Sequence, residues 1–173
     1  MSDNLIAAIR QNHALEHATI NVMIKRLGLT VRLVGQTTID GFYIYGDIPS
    51  DVVRESAEEA LARLQRGESE LAISPLCGTN LVVAGILAGI ASYIVLGGRR
   101  RLGRLPTAIA AATWATVAAQ PAGRAVQRHV TTSPDLYDVR IKRITRRGAG
   151  RRMLHKVETA RASEQDAEEL PTV

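Results

Sequence analysis

The sequence predicts an α+β fold: a small antiparallel sheet with two helices, extended by a two-helix transmembrane hairpin. Three observations carry that expectation. Residues 3–27 place Ile6, Ile9, Ile20, Ile24 and Leu27 at helical spacing. Short alternating runs such as GFYIY then read as strands. Finally, no charged residue occurs between Leu71 and Gly98, which is the composition of a segment that enters a bilayer. A chain of 173 residues has room for one compact domain and a small membrane element, and excludes multidomain machinery.

The elements follow in order. The first helix ends at Gly28, a natural stop. Thr30 to Val34 and Gly41 to Tyr45 alternate as strands, joined by a Gly/Thr/Asp-containing connection. Pro49-Ser50-Asp51 offers an N-cap to a second helix with Val53, Ala57, Ala60, Leu61 and Leu64 on one face and Gly67 at its end. Leu71 and Ile73 in ELAIS suggest a short third strand. Leu81 to Leu96 (LVVAGILAGIASYIVL) is the first expected span, and the Ala/Thr-rich stretch Leu105 to Gly123 is a weaker second one. Gly85, Ala88 and Gly89, with the alanines of the second stretch, let two helices approach closely in lipid. After the hairpin, Tyr137, Val139 and Ile141 alternate with charged residues as a fourth strand. The expected division is 1–79 for the α/β domain, 80–123 for the hairpin, 124–157 for a basic return segment and 158–173 for an acidic, disordered tail.

The net charge of +5 does not describe a uniformly basic surface. Up to Asn80 the chain carries seven Lys/Arg against ten Asp/Glu, whereas both later parts are net positive. Basicity therefore flanks the uncharged region. The run Arg140 to Lys156 lacks interleaved aromatics, so nucleic acid is not the expected partner. Attraction to the anionic headgroups of a lipid bilayer is the simpler account. Two spans place both termini on one side of the cell membrane. The basic residues after Gly123 and a reduced Cys77 make that side cytoplasmic, while the four Arg of the short loop argue the reverse. His129 and His155 lie in basic, polar surroundings and are expected in solvent. Asp40 before Gly41 reads as turn chemistry.

Chemistry concentrates in the string HALEH. On a helix His13 and His17 are one turn apart, so both imidazoles project to one side and can hold a metal ion with Glu16 beside them. This is H-x-x-E-H, in which the carboxylate serves as general base. A pair of satisfied core histidines is the plainer alternative. The single cysteine, Cys77, excludes an intrachain disulfide and is the best candidate for a third ligand, since no glutamate occurs between Glu70 and Glu158. It stands at the start of the first hydrophobic helix, where a helix N-terminus favours a thiolate.

The spaced elements HALEH, GFYIYG, an amphipathic helix and ELAISPLCGTN resemble the core of S-ribosylhomocysteine lyase, the autoinducer-2 synthase, over about residues 10–80. That enzyme shares its metallohydrolase-like α/β sandwich with the mitochondrial-processing-type peptidases. The resemblance implies His13, His17 and Cys77 as ligands of Zn or Fe(II), with Glu16 as acid/base. HALEHAT and CGTN together also resemble a family of bacterial membrane proteins with no established activity. The expected function is a membrane-anchored metal-dependent hydrolase or lyase acting on a small molecule or peptide. Its rival is a non-catalytic membrane protein that uses the α/β domain for assembly, and a homodimer is compatible with either.

Overall fold

The computed structural model describes residues 2–28, 33–97, 102–148 and 153–161. It divides into two units: Met1–Ile73 with Thr131–Val173, and the intervening Ser74–Val130. The first unit is α+β, as the sequence predicts. Helix α1 (Ser2–Leu27) is followed by strands β1 (Val34–Thr38) and β2 (Gly41–Tyr45), helix α2 (Ser50–Gln65) and a 3-10 turn (Ser69–Ala72). After the second unit the chain adds β3 (Val139–Arg147) and β4 (Leu154–Arg161). The four strands are antiparallel in the order β1-β2-β4-β3.

Alternation along the strands explains the layering. Phe42 and Ile44 of β2 and Val157 of β4 are fully buried and join Leu15, Val22 and Met23 of α1 and Val53, Ala60 and Leu64 of α2 in one core. Tyr43 and Tyr45 share the opposite face, with ring centroids 6.2 Å apart. On that face Lys156 Nζ lies 4.3 Å from the Tyr43 ring centroid and donates to Thr38 Oγ1 at 2.6 Å and Asp40 Oδ1 at 2.7 Å. The Lys156 ammonium, and next the Thr38 hydroxyl, hold the Asp40 carboxyl below the usual carboxylate range. Asp40 thus serves the β1–β2 turn, as its position before a glycine suggests.

Several expectations are corrected. Only the later part of the expected stripe of α1 turns inward: Ile6 and Ile9 are 58% and 40% exposed, whereas Ile20 and Leu27 pack against the core that includes the buried Ala14, Leu15, Ala18, Val22 and Met23. ELAIS is not a strand: its first three residues belong to the 3-10 turn Ser69–Ala72 and the rest to no regular element. Its carbonyls are taken by side chains, Asn21 Nδ2 donating to Leu71 O at 3.1 Å and Ile73 O at 3.4 Å, so no ladder forms. Ser50 does not cap α2; its hydroxyl meets His155 Nε2 at 3.0 Å. The first strand begins at Val34, and Thr30 to Arg32 lie outside the described residues; of the tail expected over 158–173, residues 158–161 belong to β4 and those from 162 lie outside the described residues. The basic return segment holds a strand pair, β3 and β4, rather than one strand.

His155 is fully buried rather than solvated. It faces the core beside Val157, and its Nδ1 finds no hydrogen-bond partner among the described residues. Burial, and secondarily the charge of Arg146, holds its pKa below the ordinary histidine value. The folded state therefore favours the neutral ring, and unfolding takes up a proton once the pH falls below about 6.5. Stability is expected to drop as the pH falls from that value toward the folded-state pKa, at no more than about 1.4 kcal/mol per pH unit for one proton. Hydrogen exchange of β4 amides should show this loss in the wild type and a flatter profile in His155→Gln. Parallel profiles for the two proteins would refute the assignment.

The second unit holds α3 (Gly78–Leu96), a 3-10 turn (Leu102–Arg104) and α4 (Leu105–Val126), followed by a π-helical turn (Gln127–Thr131). The two helices pack on one another. Among the described residues, one helix, α3, is long and apolar enough to cross a membrane. A two-span hairpin is therefore not established, because α4 is richer in Ala and Thr and contains Pro121.

Candidate metal centre

The HALEH string lies in the middle of α1, as its helical spacing requires. The rings of His13 and His17 have centroids 4.3 Å apart and are tilted by 59°. His17 is buried and His13 half-buried. Each ring is fixed by the same device. His13 Nδ1 meets Thr131 O at 2.9 Å, and His17 Nδ1 meets Ala72 O at 2.7 Å. A carbonyl oxygen only accepts, so Nδ1 carries a proton in both rings, and in the neutral tautomer this leaves the lone pair on Nε2. Metal-ligating histidines are oriented in this way, by donating their other ring N–H to a carbonyl or carboxylate.

Asn21, one turn beyond His17, continues the row by donating to Leu71 O and Ile73 O. Thus the carbonyls of residues 71, 72 and 73 all accept from α1 side chains. The polar spacing 13, 17, 21 was visible in the sequence, and Asn21 is a site residue that the motif alone did not single out. Asn12, immediately before His13, is fully buried. Its Nδ2 donates to Thr38 O and Ile39 O, both at 2.9 Å, and its Oδ1 accepts from Thr159 Oγ1 at 2.8 Å. This residue fixes the rotation of α1 about its axis and hence where the HALEH side chains project.

Glu16 turns toward β1. Its carboxylate accepts a hydrogen bond from Thr37 Oγ1, and a Cβ at Gly35 would fall on that carboxylate. Gly35 and Thr37 are two apart and so share a face of β1. The glycine gives the carboxylate room and the threonine orients it. Neither was singled out from sequence, since their meaning depends on the pairing of β1 with α1.

Cys77 belongs to the second unit, where it is half-buried at the N-cap of α3. Its Sγ lies 3.4 Å from Thr79 Oγ1, and its carbonyl accepts the Asn80 N–H at 3.0 Å. The position at a helix N-terminus is one that favours a thiolate, the form that binds metal. His129 is exposed, as expected, and His155 lies in the sheet, away from the HALEH motif in sequence and bonded to Ser50.

A family described as "Domain of unknown function (DUF6391)" matches residues 8–144. The chain belongs to the DUF6391 family. The match covers the HALEH helix, Cys77 and both helices of the second unit, so these features fall within one family domain. A relative is the uncharacterized protein SYNPCC7002_A1392 of Picosynechococcus sp., 36% identical over 138 residues, which are 72% of this chain and 66% of the relative. The DUF6391 chain therefore spans slightly less than two thirds of that protein's length. No solved structure matches the chain.

Proposed function

We propose that this chain is a membrane-anchored metal-dependent hydrolase or lyase in which His13, His17 and Cys77 hold one Zn or Fe(II) ion. The observation that carries the reading is the pair of Nδ1–H···O=C bonds, which leaves two Nε2 lone pairs one helical turn apart. The donor set fits the metals named. Two imidazoles and a thiolate suit Zn and Fe(II), and three protein ligands leave a position open for water or substrate. The tether also allows it. Cys77 is five residues beyond Ala72, whose carbonyl is bonded to His17, and five residues reach up to about 17 Å when extended. Bound metal would supply Lewis acidity and a lowered water pKa. Glu16, held by Thr37, is the group that would accept and return the proton. The order of HALEH, GFYIYG and CGTN, similar to S-ribosylhomocysteine lyase, supports lyase or hydrolase chemistry on a small molecule or peptide.

Anchoring rests on α3 and on the exposure of its apolar side chains. Leu81, Val82, Tyr93 and Ile94 are each at least 62% exposed, which a bilayer would cover. In this reading α4 is a second span, since Ile109, Trp114 and Val117 are likewise exposed and its buried positions are the small Ala108, Ala119 and Gly123. The termini then lie in the cytoplasm, where a thiol stays reduced. The basic residues flanking the spans add attraction to anionic headgroups worth about 1 kcal/mol per charge near the surface.

The Thr37–Glu16 bond also favours a second reading, a non-catalytic module in which the carboxylate is purely structural. Metal analysis tests the ligand set that both readings share. Detergent-purified full-length protein is expected to carry one metal ion per chain, and His17→Ala and Cys77→Ser to lose it. Metal-free wild type, or retention in both variants, would overturn the ligand assignment. Glu16→Gln separates the readings once metal is shown. An enzyme predicts unchanged metal content and little change in stability, whereas a structural carboxylate predicts a clear loss of stability.

A further inference from the structure

Between Ser74 and Asn80 the chain turns into α3, and two polar side chains of the second unit are spent on that turn. Asn80, at the third position of α3 and buried, donates from Nδ2 to Ser74 O at 3.1 Å and Pro75 O at 3.0 Å. Its Oδ1 accepts from Gln127 Nε2 at 2.9 Å. Fully buried Gln127 in turn accepts the Ser74 N–H at Oε1, at 2.9 Å. The bonds close a ring through Ser74, Asn80 and Gln127. Each amide has its oxygen and nitrogen assigned, because reversing either one would set donor against donor or acceptor against acceptor. Gly123 is part of the same fit. A Cβ there would fall on Asn80 Oδ1, so only glycine lets α4 approach the amide.

What the ring encloses is the approach to Cys77. Ser74 O also accepts the Cys77 N–H at 3.3 Å, and the Cys77 carbonyl accepts the Asn80 N–H. Asn80 therefore holds the backbone on both sides of the cysteine, through its side chain before it and its main chain after it. A loop needed only to start a helix requires one capping acceptor for the helix N–H groups. Here the side chain does the opposite and donates, to the two carbonyls that lead into Leu76 and Cys77.

We propose that Asn80 and Gln127 are positioning residues whose paired amides fix where the Cys77 sulfur stands for metal binding. The inference rests on the ligand role given to Cys77 above. Second-sphere partners of this kind typically contribute 10–100-fold to metal affinity.

The test uses the detergent-purified full-length chain titrated with Co(II), which reports a bound thiolate through a sulfur-to-cobalt charge-transfer band. Two variants are compared with wild type. Asn80→Ala removes both carbonyl bonds, and Gln127→Glu keeps the acceptor for Ser74 N–H while setting an oxygen against Asn80 Oδ1. Both are expected to bind Co(II) about 10–100-fold more weakly and with a diminished charge-transfer band. Thermal unfolding of the metal-free proteins is measured in parallel. Earlier unfolding with wild-type affinity and an unaltered band in both variants would show that the amides only join the helix ends, which overturns the proposal and leaves the metal site standing. Absence of the band in wild type overturns the ligand role of Cys77 and the proposal together. Should Asn80→Ala fail to fold, Gln127→Glu decides alone, since it leaves both Asn80–carbonyl bonds in place.

Discussion

Replacing Asn12 with Ala is expected to lower the stability of the α/β unit by about 3 kcal/mol, since each buried partner left unsatisfied costs about 1–3 kcal/mol. The side chain is fully buried, and its loss strands Thr38 O, Ile39 O and the Thr159 hydroxyl. Arg161 Nη2, which approaches Asn12 Oδ1 at 3.3 Å, loses a partner as well. The cavity left is too polar to collapse onto apolar neighbours. The effect should read as faster exchange of the slowest amides of β2 and β4, with no comparable change in α3. Because Asn12 sets the rotation of α1, the metal affinity proposed for the HALEH residues should fall alongside stability. A variant with native exchange rates would show that water replaces the amide in full, and that α1 is oriented by its alanine face alone.

Much of this arrangement was legible from the sequence, because it is local. H-x-x-E-H needs only helical spacing to bring His13, Glu16 and His17 together, and GFYIY alternates as a half-buried strand must. The misreadings have a common source, which is tertiary partners that act across the chain. ELAIS has the apolar pattern of a strand, but Asn21 and His17 capture its carbonyls before a ladder can. His155 looked solvated because its neighbours are Arg, Leu and Lys. In β4 alternation turns His155, Val157 and Thr159 inward, where Ser50 and Asn12 meet the polar ones. The polar inward residues hide the period of 2 that marks a strand. In α1 Ile6 and Ile9 stood out by size but are exposed, whereas the small Ala14 and Ala18 share the buried face with Leu15, Val22 and Met23. Asn80 and Gln127 are 47 positions apart, and neither carries a signal until they are paired.

The largest steric effect is expected at Gly41, the first residue of the GFYIYG run. Its φ of +141° is one that L side chains rarely adopt, and a Cβ there would land on the carbonyl oxygen of Val157 across the β2–β4 pair. A backbone oxygen in a central ladder has no rotamer by which to move aside. Gly41→Ala must therefore separate β2 from β4 or abandon the turn that holds Asp40, and should cost at least about 3 kcal/mol, the upper part of the range for strained backbone positions. Gly67 provides the comparison. It has a φ of +89° with open space where a Cβ would stand, so Gly67→Ala should cost only about 1 kcal/mol, the conformational penalty without the clash. Denaturant unfolding of the two variants separates backbone conformation from collision at otherwise similar chemistry. Equal losses would mean that the strands part easily at Gly41. A large loss at Gly41 alone gives a structural reason for the glycine in G-F-Y, independent of any catalytic role for the residues around it.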